Sequence, residues 1–345
     1  MSLYCKIQKR LGAFRLDVEL EAGNEVLAVL GASGCGKSMT LRCIAGIERP
    51  DTGRIVLDGR VLFDSEKGIN LPPQKRKAGV LFQDYALFPN MTVLQNIAAA
   101  APKSTDVLRE KWISPFHLSG LENHYPHQLS GGQRQRCALA RMLASEPDII
   151  MLDEPFSALD TFLRWQMEQE IAAAIARFGK TVLLVSHNRD EVYRLSAKTT
   201  ILHAGINEPV RTKQDLYFRP QTYADALLTG CKNIFPAEVN GNRVLLSDFG
   251  TSLPVPYGAS DICYVGIRAK KIHSAHRKKT SSDTVDLPYR ICGVTENVFS
   301  YILQVQPNGA QNYLYWELGK DEYEELRFHP PVLSLPTEEI MFLRK

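Results

Sequence analysis

A glycine-rich segment near the start of the chain has the residue types that bind phosphate. Glycines let backbone N–H groups approach phosphate oxygens closely, because no side chain stands between them. Lys37 is then expected to reach the β- and γ-phosphates of a nucleotide, and the Ser38 hydroxyl is expected to bind Mg²⁺. The segment fits the pattern G-x-x-x-x-G-K-[ST], and with the residue that follows it the expected nucleotide-binding residues are Gly31, Ala32, Ser33, Gly34, Cys35, Gly36, Lys37, Ser38 and Met39.

Two adjacent carboxylates farther along the chain could complete the chemistry of phosphate transfer. Asp153 and Glu154 follow the apolar run Ile149-Ile150-Met151-Leu152. A carboxylate at the end of a buried strand is suited to hold Mg²⁺ through water, and its neighbour is suited to act as a general base or to position water. Such a pair is elsewhere usually a solvated turn, but the apolar run before it favours the metal and base roles.

A serine- and glycine-containing segment, Leu129-Ser130-Gly131-Gly132-Gln133, lies between these two motifs. A hydroxyl and free backbone amides at the start of a helix form a binding site for an anion. The apolar-rich stretch after Gln133 fits such a helix. We therefore expect Ser130, Gly131, Gly132 and Gln133 to bind an anion.

Short apolar runs, rich in strand-forming residues, place the motifs at the ends of strands. These runs lie at residues 26–30, 149–152 and 181–186, directly before Gly31, Asp153 and His187. Residues 38–45 and 162–178 have the pattern of helices. The alternation of strands and helices predicts an α/β fold with a mostly parallel sheet, and such sheets bind ligands at the carboxyl ends of their strands.

Together, the phosphate loop, the L-S-G-G-Q segment and the Asp153-Glu154 pair resemble the ATP-binding cassette of ABC transporters. The resemblance covers about residues 1–230 and implies a P-loop NTPase fold with ATP and Mg²⁺ as cofactors. It also implies that each bound nucleotide lies between two chains, because the L-S-G-G-Q segment of one cassette contacts the γ-phosphate held by the opposite one. A homodimer is therefore expected.

Three further residues take their roles from this resemblance alone. Gln83 matches the family's Q-loop glutamine, which links Mg²⁺ and the attacking water to the surface that docks on the membrane subunits. His187 matches the switch histidine that contacts the γ-phosphate, although a lone histidine after a strand is more often structural. Asp160 ends a segment that resembles the D-loop. The expected catalytic residues are thus Glu154, His187 and Gln83, and the expected metal ligands are Ser38, Gln83 and Asp153.

The residue that would stack on adenine departs from the family pattern. Members of the family usually place an aromatic residue near the end of the first strand. Judged against Gly12, that position is occupied by Leu11. Tyr4 and Phe14 are the nearby aromatic residues, and Phe14 is our choice for stacking on adenine.

The residue pattern of the sequence changes near residue 230, where short apolar runs begin to alternate with turns that contain Gly, Pro, Asn and Asp. We expect an ABC cassette over residues 1–230, with a helical subdomain at about 86–147, and a small β-rich domain over residues 231–345. The element Val265-Gly266-Ile267-Arg268 resembles one that recurs in the OB-like regulatory domains of import ATPases. A regulatory role for this domain is therefore expected.

The chain resembles the ATPases of binding-protein-dependent import systems. Residues 53–69 and the following Pro72-Pro73-Gln74-Lys75-Arg76 look most like the molybdate import ATPase, with tungstate as a related cargo. Sulfate, iron, polyamine or sugar import remains an alternative, and so does a soluble ABC ATPase without a transport role. The expected partners are two membrane permease subunits and, indirectly, a substrate-binding protein outside the membrane.

Charge and hydropathy bear on partners and location. The formal net charge of +3 is too small and too scattered to indicate nucleic acid as a partner. No apolar stretch is long enough for a membrane-spanning helix, so any membrane contact is expected to be made through a partner. The expected location is the cytoplasmic face of the membrane, as a peripheral protein.

Overall fold

The structure is a computed structural model that describes residues 2–101, 104–157, 161–254, 261–276 and 283–345. It divides the chain into two compact units, Met1–Lys213 and Gln214–Lys345. Among the described residues, no helix is both long enough and apolar enough to cross a membrane.

The first unit is built from one large sheet and several helices. Its strands are β1 (Leu3–Leu11), β2 (Phe14–Ala22), β3 (Val26–Leu30), β4 (Thr52–Leu57), β5 (Arg60–Asp64), β6 (Ile69–Asn70), β7 (Ala78–Leu81), β8 (Ile149–Asp153), β9 (Val182–Ser186), β10 (Lys198–His203), β11 (Ile206–Asn207) and β12 (Arg211–Thr212). Its α-helices are α1 (Lys37–Ala45), α2 (Pro73–Arg76), α3 (Val93–Ala100), α4 (Thr105–Leu108), α5 (Gly131–Ala144), α6 (Thr161–Phe178) and α7 (Arg189–Leu195).

The strand order of this sheet is β6-β5-β4-β1-β2-β11-β10-β3-β9-β8-β7, and β12 pairs with β10. Four consecutive pairs in this order are parallel: β10 with β3, β3 with β9, β9 with β8, and β8 with β7. Strands β3, β8 and β9 are the apolar runs singled out in the sequence, and they are almost wholly buried. The predicted α/β fold is confirmed, and the parallel strands are joined to an antiparallel flank, β2-β1-β4-β5-β6, that the sequence did not predict.

A buried arginine binds the free carbonyl groups at the carboxyl end of α1. Arg76 is 0% exposed, and its guanidinium donates to the carbonyl oxygens of Cys43 at 2.8 Å and Ile44 at 2.9 Å. It also donates to Leu71 O and to Asn70 Oδ1, each at 2.8 Å. A cation at the carboxyl end of a helix is favourable. Burial lowers the pKa of Arg76, and these four acceptors offset the cost of desolvating its charge.

The segment between β7 and β8 is mostly helical. Besides α3, α4 and α5 it contains a π-helix at Arg109–Ile113 and short 3₁₀ turns at Ser114–Phe116 and Pro126–Gln128. Its own apolar cluster includes Val93, Ile97, Leu108, Ile113 and Cys137. The segment therefore has an apolar cluster of its own, and the helical subdomain expected at about residues 86–147 stays a prediction.

The second unit is dominated by antiparallel strand pairs. Its strands are β13 (Asn233–Pro236), β14 (Glu238–Asn240), β15 (Arg243–Leu246), β16 (Thr251–Pro254), β17 (Tyr264–Ile267), β18 (His273–Ser274), β19 (Thr284–Glu296), β20 (Ser300–Pro307), β21 (Leu314–Gly319), β22 (Val332–Pro336) and β23 (Met341–Leu343). Its helices are α8 (Lys213–Phe218), α9 (Tyr223–Leu228) and α10 (Lys320–Glu325). The strands form sheets β13-β17-β23, β14-β15-β16 and β18-β22-β19-β20-β21.

The division between the units falls earlier than the expected boundary at residue 230. Helix α9 belongs with the β-rich unit because Ala226 packs with Cys231 and Leu343. Arg268 reinforces this attachment by donating to the carbonyl oxygen of Thr229 at 3.0 Å. The change in residue pattern near residue 230 coincides with β13, the first strand of the second unit. The boundary drawn from it therefore leaves out α8 and α9, which precede that strand.

Truncation tests this division. A chain ending at Lys213 is expected to stay monodisperse, because the first unit keeps its own core. A chain ending at Gly230 is expected to unfold at a temperature lower by at least ~2–4 °C and to aggregate, since α9 would keep an apolar face without Cys231 and Leu343. Thermal unfolding and size-exclusion chromatography of the two truncated chains check this, and equal behaviour would contradict the earlier boundary.

Candidate functional site

The candidate site lies at the carboxyl ends of four adjacent parallel strands. Strand β3 pairs with β9, β9 with β8, and β8 with β7. The register pairs Leu30 with Ser186 and Asp153 with Val185, so the phosphate loop, His187 and Glu154 leave the sheet at one edge. This edge is where open α/β sheets bind ligands.

The phosphate loop is shaped by glycines and held by its lysine. Gly34 has φ 81° and Gly36 has φ 110°, conformations that side chains disfavour. Lys37 begins α1 and is 4% exposed. Its Nζ donates to the carbonyl oxygens of Gly31 at 2.9 Å and Ala32 at 3.0 Å. The ammonium group therefore lies against the loop whose N–H groups are expected to surround the phosphates.

Ser38 and Asp153, two of the expected metal ligands, contact each other across the site. The Ser38 hydroxyl donates to Asp153 Oδ1 at 2.8 Å. Burial raises the pKa of Asp153, and the hydrogen bond from Ser38 opposes that rise. A hydroxyl and a carboxylate oxygen are suitable ligands for Mg²⁺, which in nucleotide sites takes its other ligands from phosphate and water. These two residues therefore fit a metal ion that a nucleotide helps to bind.

Glu154 lies between two cationic or protonatable groups. Its Oε1 is 3.4 Å from Lys37 Nζ, and its Oε2 is 3.0 Å from His187 Nδ1. The backbone of Glu154 has φ 46°, which is uncommon for a residue with a side chain. Its N–H donates to Val185 O at 3.0 Å, and the N–H and hydroxyl of Ser157 donate to its carbonyl oxygen. These bonds hold the strained backbone that points the carboxylate at Lys37 and His187.

A buried carboxylate supports the turn that carries His187. The Ser186 hydroxyl donates to Glu191 Oε2 at 2.8 Å and accepts from the N–H of Asn188 at 2.9 Å. Asn188 caps α7 by accepting from the N–H groups of Asp190 and Glu191. Burial raises the pKa of Glu191. Glu191 is not among the residues predicted from the sequence, although an Asn followed three residues later by Glu is a signature of a helix start.

Gln83 lies just beyond the end of β7 and is exposed. No hydrogen bond in the described chain joins its side chain to Ser38 or Asp153, so its metal role stays a prediction. The next turn has Tyr85 at φ 63° and Ala86 at φ 42°. Arg141 of α5 donates to Ala86 O at 2.7 Å and Tyr85 O at 3.1 Å, which stabilises this turn.

The L-S-G-G-Q segment starts α5, as its sequence predicts. Ser130 Oγ accepts from the N–H of Gln133 at 3.3 Å, and Gln133 Oε1 accepts from the N–H of Ser130 at 2.9 Å. A β-carbon on Gly132 would lie 3.3 Å from Leu163 Cδ1, so glycine permits the approach of α6. Among the described residues, no hydrogen bond or ion pair joins this segment to the phosphate loop of the same chain.

The remaining expected residues have mixed outcomes. Phe14 begins β2 and is partly buried, with its Cζ 3.2 Å from the place where a β-carbon on Gly36 would stand. The aromatic ring therefore packs beside the phosphate loop, and its stacking on adenine stays a prediction. Cys35 of the loop is buried, which raises the pKa of its thiol. Asp160 lies outside the described residues.

Comparison with known proteins places this site in a family. The model of the family described as ABC transporter matches residues 14–157. The sulfate/thiosulfate import ATP-binding protein CysA of Caulobacter vibrioides is 37% identical over 252 residues, which cover 69% of this chain and 72% of that protein. The chain belongs to the ABC transporter family.

Two other import ATP-binding proteins have a similar sequence identity to this chain, but the match covers a smaller part of their length. The Fe(3+) ions import protein FbpC of Mesorhizobium japonicum is 40% identical over 230 residues, covering 66% of this chain and 63% of that protein. The molybdenum import protein ModC of Paramagnetospirillum magneticum is 40% identical over 203 residues, covering 58% and 56%. The matched part of the chain thus spans less than two thirds of these relatives.

A solved structure supports the assignment of the ABC cassette fold. A bacterial ABC transporter cassette, solved as a dimer, is 27% identical and has a TM-score of 0.52. It covers 62% of this chain, and 99% of that cassette is matched. The ABC cassette fold predicted from the sequence is confirmed.

Proposed function

We propose that the chain is the ATP-hydrolysing subunit of an ABC importer. The observation that carries this proposal is the meeting of Lys37, Glu154 and His187 beside the Ser38–Asp153 pair. These residues supply a cation for phosphate, a candidate general base, a group to orient that base, and two oxygen ligands for a metal. Phosphoryl transfer depends mainly on such positioning and electrostatic stabilisation.

Each residue then has a defined task. The loop N–H groups and Lys37 bind the β- and γ-phosphates of ATP. Ser38 and Asp153 would hold Mg²⁺, which neutralises phosphate charge when bound. Glu154 accepts a proton from the water that attacks the γ-phosphorus, and the bond from that phosphorus to the ADP oxygen breaks. His187, 3.0 Å from Glu154, orients the carboxylate.

The proposed active unit is a homodimer. Ser130 is exposed at the start of α5, and no described contact joins it to its own phosphate loop. We propose that the Ser130 hydroxyl and the amides of Gly131 and Gly132 bind the γ-phosphate on a second chain. The similarity to a cassette solved as a dimer supports this arrangement.

The proposed membrane contact lies beside Gln83, the residue expected to link the nucleotide site to the docking surface. The large apolar residues that follow Gln83 are Tyr85, Leu87 and Phe88. Tyr85 is 7% exposed, because its left-handed backbone turns the ring inward, and Leu87 packs on the helical segment's core. Phe88 is 47% exposed and lies under the guanidinium of Arg141, 5.1 Å from the ring centroid. Phe88 is therefore the proposed docking residue.

Phe88→Asp tests that contact. The variant is expected to lose copurification with the permease subunits and to uncouple import, while its basal ATPase rate stays within ~2-fold of wild type. Ile47→Asp is the matched control, because Ile47 is exposed to a similar extent, 49%, at the end of α1. Unchanged copurification of Phe88→Asp would contradict the docking role.

The proposed cargo is molybdate or tungstate. The support is the resemblance of residues 53–76 to molybdate import ATPases and the similarity to ModC. Ferric iron and sulfate are the competing cargoes, since FbpC and CysA are similar to a comparable degree. The proposed setting is the cytoplasmic face of the membrane, with two permease subunits and a substrate-binding protein, and without nucleic acid.

Uptake assays separate these cargoes. Cells that lack the gene would be complemented with wild type or with Glu154→Gln as an inactive control, and given labelled molybdate, sulfate or ferric iron separately. Restored uptake of molybdate alone is the expected result. Restored uptake of iron or sulfate alone would replace the cargo and leave the ATPase proposal intact, whereas hydrolysis-independent uptake would contradict the ATPase proposal.

A further inference from the structure

A second cavity lies in the first unit, away from the nucleotide site. Its volume is about 500 Å³. It is bounded by the segment 111–117, the carboxyl end of α5 and the second half of α6. None of its lining residues belongs to the phosphate loop, the L-S-G-G-Q segment, the Asp153-Glu154 pair or the switch turn. Its size falls within the range of roughly 300–1,000 Å³ that is typical of small-molecule sites.

The walls of the cavity are mainly apolar. Trp112 and Phe116 supply one wall, with ring centroids 6.3 Å apart and planes inclined by 30°. Leu143, Ala174 and Phe178 line the cavity from α5 and α6. Flat aromatic and small aliphatic side chains of this kind fit an apolar body of one or two rings.

The basic side chains that line the cavity outnumber the carboxylates. Glu170 is already bound by Arg136, with two bonds of 2.8 and 2.7 Å. Lys180 donates to Pro147 O at 3.0 Å and pairs with Asp148 at 3.7 Å. Lys111 and Arg177 are exposed, and neither has an ion pair among the described residues. The lining thus holds three basic side chains, Lys111, Arg177 and Lys180, and two carboxylates, Glu146 and Glu170, so its formal charge is positive.

We propose that this cavity binds a small amphipathic anion, with an aromatic or aliphatic body and one carboxylate or sulfonate group. The body occupies the space beside Trp112 and Phe116, and the anionic group is held by Lys111 and Arg177. Charge complementarity selects an anion over a neutral or cationic compound of the same shape. The cavity walls come from three segments, so a bound molecule joins residues 111–117 to α5 and α6.

A ligand in this cavity would act on the helix that carries the L-S-G-G-Q segment. Helix α5 begins with the L-S-G-G-Q segment, and Arg136 on α5 is tied to Glu170 on α6. A ligand that bridges these elements stabilises the described arrangement, because binding to one conformation draws the population toward it. The cavity therefore offers a point at which a metabolite anion acts on the chain without occupying the nucleotide site.

The full-length protein can be tested with two fluorescent probes that share an aromatic body. 8-Anilinonaphthalene-1-sulfonate carries the anionic group, and N-phenyl-1-naphthylamine lacks it. Ala173→Phe places a ring in the cavity lining, whereas Ala176→Phe is its control on an exposed position of the same helix outside the lining. Ala173→Phe is expected to weaken sulfonate binding at least ~10-fold, and Ala176→Phe to change it by less than ~2-fold.

A charge variant keeps the test independent of folding effects in the cavity. Lys111→Gln with Arg177→Gln is expected to weaken sulfonate binding ~10-fold and to leave the neutral amine within ~2-fold. Lys67→Gln with Arg219→Gln is the control, because it removes the same charge from exposed positions elsewhere. No sulfonate binding, equal losses for both probes, or equal losses in a variant and its control would overturn the proposal.

Discussion

Glu154→Gln is expected to bind Mg·ATP with unchanged affinity and to hydrolyse it at least ~100-fold more slowly than wild type. Glutamine keeps the shape of the side chain, so the contacts near Lys37 and His187 retain their geometry. The amide cannot accept a proton from the attacking water. Steady-state phosphate release measures the loss, and equilibrium binding of a fluorescent ATP analogue measures the retained affinity.

The same variant is expected to accumulate as an ATP-bound dimer. In the proposed homodimer, hydrolysis removes the γ-phosphate that both chains contact, so a chain that binds ATP without cleaving it is expected to stay paired. Light scattering with and without Mg·ATP detects the change in mass. Glu21→Gln is the control, because it makes the same chemical change at an exposed position of β2. A normal rate of hydrolysis by Glu154→Gln would remove Glu154 from the catalytic role.

Mixing two inactive variants is expected to restore ATP hydrolysis. Ser130→Arg blocks the phosphate group of the partner's nucleotide, and Lys37→Ala disables the chain's own phosphate loop. Each homodimer is therefore inactive at both sites. A mixed dimer places both defects in one composite site and leaves the other composite site intact. Activity that reappears on mixing is the expected result, and mixtures that remain inactive while mixed dimers form would contradict the composite arrangement.

The cap formed by Ser130 requires its own control. Ser130 Oγ accepts from the N–H of Gln133, so any replacement also removes an N-cap worth about 1 kcal/mol. Ser130→Ala loses the cap without adding bulk. Ser130→Arg is expected to reduce hydrolysis far more than Ser130→Ala does, while both unfold at similar temperatures. Equal hydrolysis by the two variants would exclude steric blocking of the partner's nucleotide by the arginine as the cause of the defect.

The sequence predicted the elements whose local signals agree. Residues 26–30 form a strand, as expected, and the helix expected at 38–45 begins one residue earlier, at Lys37. Continuous apolar runs indicate strands buried on both faces, and glycines mark the turn that follows. Ser38 and Asp153 were predicted as ligands of one metal ion, and they contact each other because β3 and β8 end at the same edge of the sheet. Their metal role stays a prediction.

The features that the sequence did not predict depend on contacts between distant residues. The pairing of β1 with β4 and the single pairing of Ile206 with Asp17 have no local signal. The burial of Tyr85, which is 7% exposed in a turn where its own φ is 63°, also has no local signal. Helix α9 was assigned to the wrong side of the boundary because its packing on Leu343 involves the end of the chain.

The Arg76 guanidinium occupies the space where a side chain at position 46 would stand, and this has a consequence for related chains. A β-carbon at position 46 would lie 2.5 Å from Arg76 Nε and 2.8 Å from Cζ, so any larger residue there would displace the guanidinium from the end of α1. A chain that loses the glycine must therefore also lose the arginine or find another residue to bind the helix carbonyls. We expect the two positions to have changed together during divergence, so that an alignment of relatives pairs glycine at 46 with arginine at 76.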